Sequence, residues 1–384
     1  MIKDAVAVLD IGSSKVTVTL GERGVNGTFV IHSSCDVEYA GFAENDFSLD
    51  ASDGIYIDEA INTAVETVKR NSDVKFNRIY VGVPAFFLQT RTISHSNSYD
   101  KKTKINANDV KRFIETGLVG VQMDGYYRID TRAVYYILSD GSVINNPIGK
   151  KSVNLSGILS ITFCKSNFKS KIDSILVKLG VSSVLYVPSP LSENLYLFNE
   201  DRRNSYNILV DVGFSSSCFS VVYRNGIVFQ SLLPRGVGGS GINAVFFQNL
   251  GFADMEYDDS LIDVVEDLKR KVNLGLRGGD YTINYNGQVY RFSVDRVNGL
   301  VKDFLTVLAE EISVCLDKCS SFLSVGTRIN VTGGGISFIR GAVERLRDLL
   351  DKGVDVVYPN VPKFKKPNET SKFALLDYAL KERN

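Results

Sequence analysis

Three short segments at the start of the chain, 5–11, 15–20 and 28–33, are rich in β-branched residues, and apolar and polar residues alternate most clearly in 15–20. Alternation with a period of two predicts β-strands, and the short gaps between the segments predict a meander. The segment 58–70 differs, because its apolar residues recur every three or four positions, as in an amphipathic helix. A further strand is predicted at 79–83. This order of strands and helices indicates α/β layers.

The stretch 85–160 has its own order of elements. Strand-like residues at 86–94 lead to a helix predicted at 107–117, and an Asp-Gly turn at 140–141 then predicts a hairpin before a strand at 153–163. A β-α-β-β order between two larger segments predicts a small unit inserted into the first large domain.

The second half of the chain again alternates strands and helices, after a hydrophilic stretch that suits a linker. We therefore predict a first lobe, an inserted unit, and a second lobe that contains a smaller subdomain. The predicted bounds are 1–84 with 161–204 for the first lobe, 85–160 for the insertion, 205–384 for the second lobe and 235–300 for its subdomain.

One short motif occurs twice at predicted strand ends, as Ala7-Val-Leu-Asp-Ile-Gly-Ser-Ser-Lys15 and as Ile208-Leu-Val-Asp-Val-Gly-Phe-Ser-Ser216. Glycine followed by small hydroxylic residues forms a tight turn whose N–H groups suit a phosphate. The aspartate supplies an oxygen for magnesium, usually through water. Two copies predict two related halves that face each other across a nucleotide.

A second group of motifs gives weaker evidence for a nucleotide site when each motif is taken alone. Three glycines after a predicted strand let a ligand approach the backbone near an expected helix terminus, or simply make a tight turn. A Gly-Gly pair before another helix is equally consistent with a cap. Glu266 and Lys269 on a predicted helix suit either an exposed ion pair or a role at the nucleotide. The two glycine groups are Gly333–Gly335 and Gly238–Gly239.

The composition narrows the possible partners and chemistry. Length 384 suits two domains, and 44 Lys+Arg balance 44 Asp+Glu, which gives no reason to expect nucleic acid as a partner. Apolar runs are strand-sized, so we expect no transmembrane helix and no signal peptide. Two histidines argue against a His-rich zinc site, and five scattered cysteines indicate reduced thiols.

The order of these motifs resembles the superfamily of actin, sugar kinases and heat-shock chaperones, and within it the FtsA family of bacterial cell-division proteins. The resemblance covers nearly the whole chain, and three of its motifs fall in the inserted unit. The motifs are Val81-Gly-Val-Pro84, Asn97-Ser98, Asn108–Arg112 and Asn146–Gly149. It implies an actin-like, two-lobed α/β fold of the ribonuclease-H type, with a small α+β domain inserted in the first lobe.

The resemblance also implies a site for ATP and Mg²⁺. Asp10 and Asp211 would face magnesium through water, and Asp211 is the one candidate for a catalytic residue. Glu266 and Lys269 would flank the adenine. The other residues that the resemblance places at the nucleotide are Gly12, Ser13, Ser14, Lys15, Gly213, Ser215, Ser216, Ser217, Gly238, Gly239, Gly333, Gly334, Gly335 and Phe338.

This chain departs from the family pattern in both halves of the site. The second loop of the family is typically D-I-G-G-G-T-T-D, whereas here Phe214 and Ser215 replace glycines and Cys218 replaces the last aspartate. Phe214 in a turn that needs positive φ would cost about 1–3 kcal/mol. Ser189 stands where the superfamily often has a Glu or Gln that orients water. Orienting and activating the nucleophile typically contributes about 10²–10⁴-fold, so we expect weak or absent hydrolysis, a slow ATPase at most.

The C-terminal segment 373–380 is apolar but short and carries few basic residues. Such a segment binds a bilayer poorly, so we expect a last helix packed on the second lobe and a membrane contact only through another protein. The resemblance implies a cytoplasmic protein at the division site, on the inner face of the membrane.

Three functions compete at this level. The first is an ATP-binding filament former that links a tubulin-like division ring, FtsZ, to its membrane anchor. The second is a nucleotide-gated scaffold of a pilus or secretion assembly that does not polymerise, similar to the PilM relatives of FtsA. The third is a sugar or acetate kinase, for which the chain is short.

Overall fold

The computed structural model describes residues 5–39, 41–42, 56–252 and 259–382. Its helices are α1 (Ile57–Arg70), α2 (Ala107–Gly117), α3 (Ser166–Lys178), α4 (Ser189–Leu197), α5 (Glu200–Arg203), α6 (Gly239–Asn249), α7 (Asp259–Lys271), α8 (Val294–Cys319), α9 (Ala342–Leu350) and α10 (Thr370–Glu382). Its strands are β1 (Val6–Ile11), β2 (Lys15–Arg23), β3 (Phe29–Glu38), β4 (Arg78–Val83), β5 (Leu88–Lys104), β6 (Tyr126–Leu138), β7 (Val143–Ile144), β8 (Lys151–Lys165), β9 (Ser183–Pro188), β10 (Asn207–Val212), β11 (Ser217–Tyr223), β12 (Gly226–Leu232), β13 (Asp280–Tyr285), β14 (Gln288–Ser293), β15 (Ile329–Thr332) and β16 (Val354–Val356).

Two five-stranded sheets have the same topology. The sheet of the first lobe has the order β3-β2-β1-β4-β9, and that of the second lobe has the order β12-β11-β10-β15-β16. In each sheet the first three strands are antiparallel and the last two add in parallel to the central strand. The repeated topology confirms that the chain contains two related α/β halves, as the repeated motif predicts.

The central strands of both sheets are buried on their two faces. In the first lobe, α1 and α3 cover one face through residues such as Ile61, Val65 and Phe168. This explains why β1 is a nearly continuous apolar run instead of a strictly alternating strand. In the second lobe, the long helix α8 and the helix α6 cover the sheet through a larger apolar core.

The inserted unit is a four-stranded sheet, ordered β5-β8-β6-β7, that carries α2. Asn106 caps α2, and its exchange of hydrogen bonds with Asp109 confirms the predicted capping box. The unit also contacts the second lobe at β12, where the Ser160 hydroxyl donates to the Ile227 carbonyl at 2.7 Å. The insertion therefore touches both lobes.

The expectation that the last helix packs on the second lobe is wrong. Leu375, Leu376 and Leu380 of α10 join Val6 and Val8 in one buried cluster, on the face of the first-lobe sheet that α1 and α3 leave free. The helix α4 packs on α10 and contacts β11, so the two helices lie between the sheets. The apolar residues of α10 lie on several sides of the helix and must be buried by neighbouring elements. The sequence of the helix does not specify which lobe provides those elements.

The helix predicted after the triple glycine is present and begins at Ala342, so the glycines are not next to its terminus, as we expected. The intervening residues turn instead, and Arg340 forms an isolated bridge with Asn273. In the part of the chain that the structure describes, none of the helices is both long enough and apolar enough to cross a membrane.

Candidate functional site between the lobes

A cavity of about 310 Å³ lies between the two lobes, where the β1–β2 and β10–β11 turns approach each other. We call it the inter-lobe cavity. Of the residues that the sequence places at a nucleotide, all line this cavity except Ser215, Gly238 and Gly239. The structure thus gathers into one place residues that are distant in sequence.

The two turns have the same geometry. The Gly12 amide donates to the Lys15 carbonyl at 2.9 Å, and the Gly213 amide donates to the Ser216 carbonyl at 3.1 Å. The turns also touch across the cavity, because the amide of Ser215 donates to the Ser13 hydroxyl at 3.0 Å. Ser215 therefore links the turns instead of facing the cavity.

The φ angle of Phe214 is not positive, so the backbone strain that we expected at this residue is absent and the expectation is wrong. The turn accepts a bulky side chain because its second position needs no left-handed backbone, and the ring lies 5.7 Å from the Lys269 ammonium. Behind the turn, the Gly239 and Ser240 amides donate to the Gly213 and Phe214 carbonyls at 2.9 and 2.8 Å.

Gly238 and Gly239 support this turn from outside the cavity. A Cβ at Gly238 would lie only 2.6 Å from the Phe214 carbonyl oxygen, and a Cβ at Gly239 would lie 3.1 Å from Gly335 Cα. A larger residue would therefore push the turn away. Gly238 and Gly239 therefore influence the cavity indirectly, because they support the turn at 213–216.

The triple glycine brings its backbone against the second turn. Gly333 has φ of +86°, and a Cβ there would lie 2.3 Å from Asp211 Oδ1. The Gly335 amide donates to the Val212 carbonyl at 2.8 Å, which holds the segment in place. Since α9 begins at Ala342, the glycines provide close backbone approach and do not form a helix terminus.

Asp10 and Asp211 contribute buried carboxylates from opposite lobes. Asp10 accepts a hydrogen bond from the Ser371 hydroxyl at 2.7 Å. Burial raises the pKa of Asp10, while the Ser371 hydrogen bond and Lys15 oppose the shift. Burial, with the charge of Asp10, raises the pKa of Asp211 to about 7. The two groups therefore disfavour each other's charge until a cation lies between them.

The two lysines of the site differ in environment. The Lys15 ammonium lies 2.7 Å from Asp36 on the neighbouring strand and keeps partial solvent contact. The Lys269 side chain is almost fully buried, 2.5 Å from Glu266 Oε2 and 3.2 Å from the Gly239 carbonyl. Burial lowers the pKa of Lys269 and Glu266 opposes this effect. The pair at the cavity wall thus joins a buried Lys269 to a partly exposed Glu266, whose side chain is 24% exposed.

Cys218 lines the cavity at the position of the aspartate that the resemblance expects. Burial raises the pKa of this thiol well above its usual range, and the nearby carboxylates raise it further. It is a neutral thiol, and so it does not replace the missing negative charge.

The sequence analysis did not place several residues of the cavity wall there, among them Glu193 and Ser371. Glu193 lies on α4, one helical turn after Ser189, and its side chain is almost fully buried in the cavity wall. Helical spacing from Ser189 is a signal that could have found it. Ser371 comes from the start of α10 and no local signal marks it, because its place beside Asp10 depends on α10 crossing to the first lobe.

Comparison with known proteins agrees with this architecture. The fold and the cleft define an actin-like, two-lobed protein. No model of a protein family matches the chain. The chain is similar to the cell division protein FtsA of Buchnera aphidicola, at 22% identity over 88% of this chain and 79% of that protein. It is also similar to FtsA of Neisseria meningitidis, at 23% identity over 60% of this chain and 55% of that protein.

Solved structures show the same fold over nearly the whole chain. A PilM–PilN type IV pilus biogenesis complex matches with a TM-score of 0.64, at 11% identity over 98% of both chains. MreB5 of Spiroplasma citri bound to ADP matches with a TM-score of 0.56, at 9% identity over 99% of this chain and 98% of that one. The chain therefore has the actin-like fold, and its sequence is similar to those of FtsA proteins.

Proposed function

We propose that this chain is an ATP-binding, actin-like protein of bacterial cell division. The observation that carries the proposal is the meeting of two equivalent turns, one from each lobe, at a cavity with Asp10 and Asp211 on its two sides. The similarity to FtsA supports the division role. The ADP-bound MreB5 shows that a protein of this fold holds a nucleotide.

In this proposal the amides and hydroxyls of the two turns bind the phosphates, together with Lys15. The glycines 333–335 pass under the adenosine, and Glu266, Lys269 and Phe338 lie at its base. Two carboxylates and a polyphosphate are a donor set that suits Mg²⁺, which keeps several waters and takes few protein ligands. Asp10 and Asp211 would hold the ion through water, and the ion would offset the mutual repulsion of the carboxylates.

The nucleotide would act mainly as a ligand that holds the lobes closed. A ligand shifts a conformational equilibrium only by its different affinities for the two states, and a site built half from each lobe provides such a difference. Closed subunits would assemble into filaments that link FtsZ to a membrane anchor at the division site, on the inner face of the membrane, with slow hydrolysis.

The first test is calorimetric titration with MgATP and MgADP. We expect micromolar binding to the parent chain and at least tenfold weaker binding to Asp10→Ala. The matched control is Asp201→Asn on the exposed helix α5, which should bind like the parent. Equal binding by Asp10→Ala would exclude the proposed site, and no binding by any variant would exclude the function.

A second candidate is a nucleotide-gated scaffold that does not polymerise. The TM-score of 0.64 to the PilM–PilN complex favours it, because that match extends over the whole chain. Sedimentation with MgATP and FtsZ distinguishes the two: filaments support the division protein, and monomers at high concentration that still bind nucleotide support the scaffold.

A further inference from the structure

The inserted unit has an end where two runs of lysines lie side by side. It consists of residues 101–105, where β5 ends, and residues 146–151, where β8 begins, and we call it the insertion tip. Lys104 and Lys151 are directly opposite each other in the β5–β8 pair. The Ile105 amide donates to the Lys150 carbonyl at 2.8 Å, so the next residues continue this contact. The tip therefore gathers five lysines: Lys101, Lys102, Lys104, Lys150 and Lys151.

The positive charge of the tip is not neutralised within the molecule. All five lysines are exposed, and among the residues that the structure describes none of them forms an ion pair with a carboxylate. The nearby Asp140 accepts hydrogen bonds from the Ser142 hydroxyl and amide, which lower its pKa, and the charge of Lys102 lowers it further. Even with Asp100, Asp109 and Asp140 counted, the lysines outnumber the carboxylates. The whole chain, in contrast, has 44 Lys+Arg and 44 Asp+Glu.

The fold itself does not require this arrangement. Like charges directly opposite in an antiparallel pair are destabilising, and lysine is depleted in strands. Lysines on an edge strand can prevent unwanted pairing, which would explain those on β5. The strand β8, however, lies between β5 and β6, so protection of an edge does not explain Lys151. The lysines of both strands together indicate an anionic partner.

A tight turn presents an apolar side chain beside the lysines. The side-chain oxygen of Asn146 accepts a hydrogen bond from the Ile148 amide at 3.0 Å, and the Lys150 amide donates to the Pro147 carbonyl at 3.0 Å. The Ile148 residue is 50% exposed. Turn positions are usually polar, and one exposed apolar residue is ordinary by itself. Here it lies at the projecting end of a positively charged surface.

The chemistry of the tip favours a lipid surface over an acidic protein. All five cations are lysines, which are hydrated point charges on flexible stems. Recognition of individual carboxylates in a protein partner favours the bidentate fork of arginine instead. An apolar residue flanked by lysines matches the boundary between anionic headgroups and acyl chains. A projecting turn can also meet a flat surface without a complementary groove.

We propose that the insertion tip binds the surface of a bilayer that contains anionic phospholipids, with Ile148 entering the headgroup layer. The contact is made by the inserted unit and does not depend on the nucleotide site. It differs from the expectation drawn from the C-terminal segment, which left the membrane contact to another protein. Each lysine near an anionic surface contributes about fivefold to binding, so the full set gives a measurable affinity at low salt.

The experiment is co-sedimentation of the full chain with vesicles. One set of vesicles contains phosphatidylcholine alone, and the other contains equal parts of phosphatidylcholine and phosphatidylglycerol. The parent should bind only the anionic set, and about 0.5 M NaCl should release it, because salt screens exposed charges. Binding to a soluble polyglutamate peptide is measured in parallel, as the probe for an acidic protein partner.

Two variants and a matched control test the residues. Lys150→Gln combined with Lys151→Gln should weaken binding to anionic vesicles about tenfold to thirtyfold. Ile148→Ser should weaken it about threefold to tenfold, through the lost apolar contact. The control is Lys178→Gln combined with Lys318→Gln, which removes two exposed lysines from the last turns of α3 and α8 and should bind like the parent. Melting temperatures verify that all variants fold.

Weaker vesicle binding in both tip variants, with the control unchanged, would support the proposal. Equal binding of the parent to neutral vesicles, or parent-like binding by the double tip variant, would overturn it. A parent chain that binds polyglutamate but not anionic vesicles would overturn it in favour of an acidic protein partner. None of these outcomes affects the nucleotide site, which the titration with MgATP tests separately.

Discussion

At the scale of single residues, the inter-lobe cavity depends on places where a side chain would not fit. Gly333 combines a left-handed backbone with a close approach to Asp211 and to the Val212 carbonyl. Its neighbour Gly334 has an ordinary φ, and a Cβ there would meet only Asn368 Cβ, at 3.2 Å. The two adjacent glycines therefore form a matched pair for substitution.

We expect Gly333→Ala to lower the free energy of unfolding by about 2 kcal/mol or more, through backbone strain and overlap with Asp211. It should also weaken MgATP binding, because the shift displaces the Asp211 carboxylate. Gly334→Ala should stay within about 1 kcal/mol of the parent. Urea unfolding and calorimetry measure both effects, and equal losses in the two variants would contradict this account of Gly333.

At the scale of elements, α10 joins the end of the chain to its beginning. The helix packs its apolar residues on β1 and β2, and its first turn brings Ser371 to Asp10. The same helix packs on α4, which carries Glu193. The sandwiched pair α4 and α10 therefore connects both lobes to the cavity, so damage to α10 should affect stability and ligand binding together.

Leu376 is fully buried between α10 and the first-lobe sheet. We expect Leu376→Ala to reduce the free energy of unfolding by about 2–5 kcal/mol, as for other leucines in closed cores. Val314→Ala on α8, where the side chain is 47% exposed, should change it by about 0.5 kcal/mol or less. Denaturant unfolding of both variants is the measurement, and similar values for the two would mean that α10 is only loosely attached.

At the scale of the whole molecule, closing the lobes brings like charges together. Asp10 belongs to β1 and Asp211 to β10, so their proximity exists only when the two halves are assembled. The folded chain without nucleotide therefore holds a proton that the unfolded chain releases. This couples the stability of the assembled lobes to pH.

The folded pKa of Asp211 is raised to about 7 from an ordinary value of 3.8. Its contribution to stability is fully present below the unfolded pKa and is lost as the pH rises through the folded pKa. The ligand-free chain should accordingly be more stable at pH 6 than at pH 8, measured as the free energy of unfolding in urea. Asp211→Asn should reduce this difference and Asp201→Asn should retain it, whereas an unchanged difference in Asp211→Asn would place the effect elsewhere.

Much of the fold was predictable because its signals are local. The strand and helix periods follow from which faces are buried, and the Asn106 capping box needs only four consecutive residues. The motif at Asp10 and its repeat at Asp211 predicted two equivalent turns, and the two five-stranded sheets have the same strand order. Local pattern and tertiary structure agree at these positions because each turn closes within its own hairpin.

The sequence by itself thus determined most strands and helices, the presence of two related halves and the residues of the two turns. Only the tertiary structure decided which lobe receives α10, how Phe214 fits its turn, and that Glu193 and Ser371 reach the cavity. These features depend on contacts between segments far apart in the chain, such as Ser371 with Asp10. A periodic pattern records that a face is buried but not which element buries it, so packing alone could settle them.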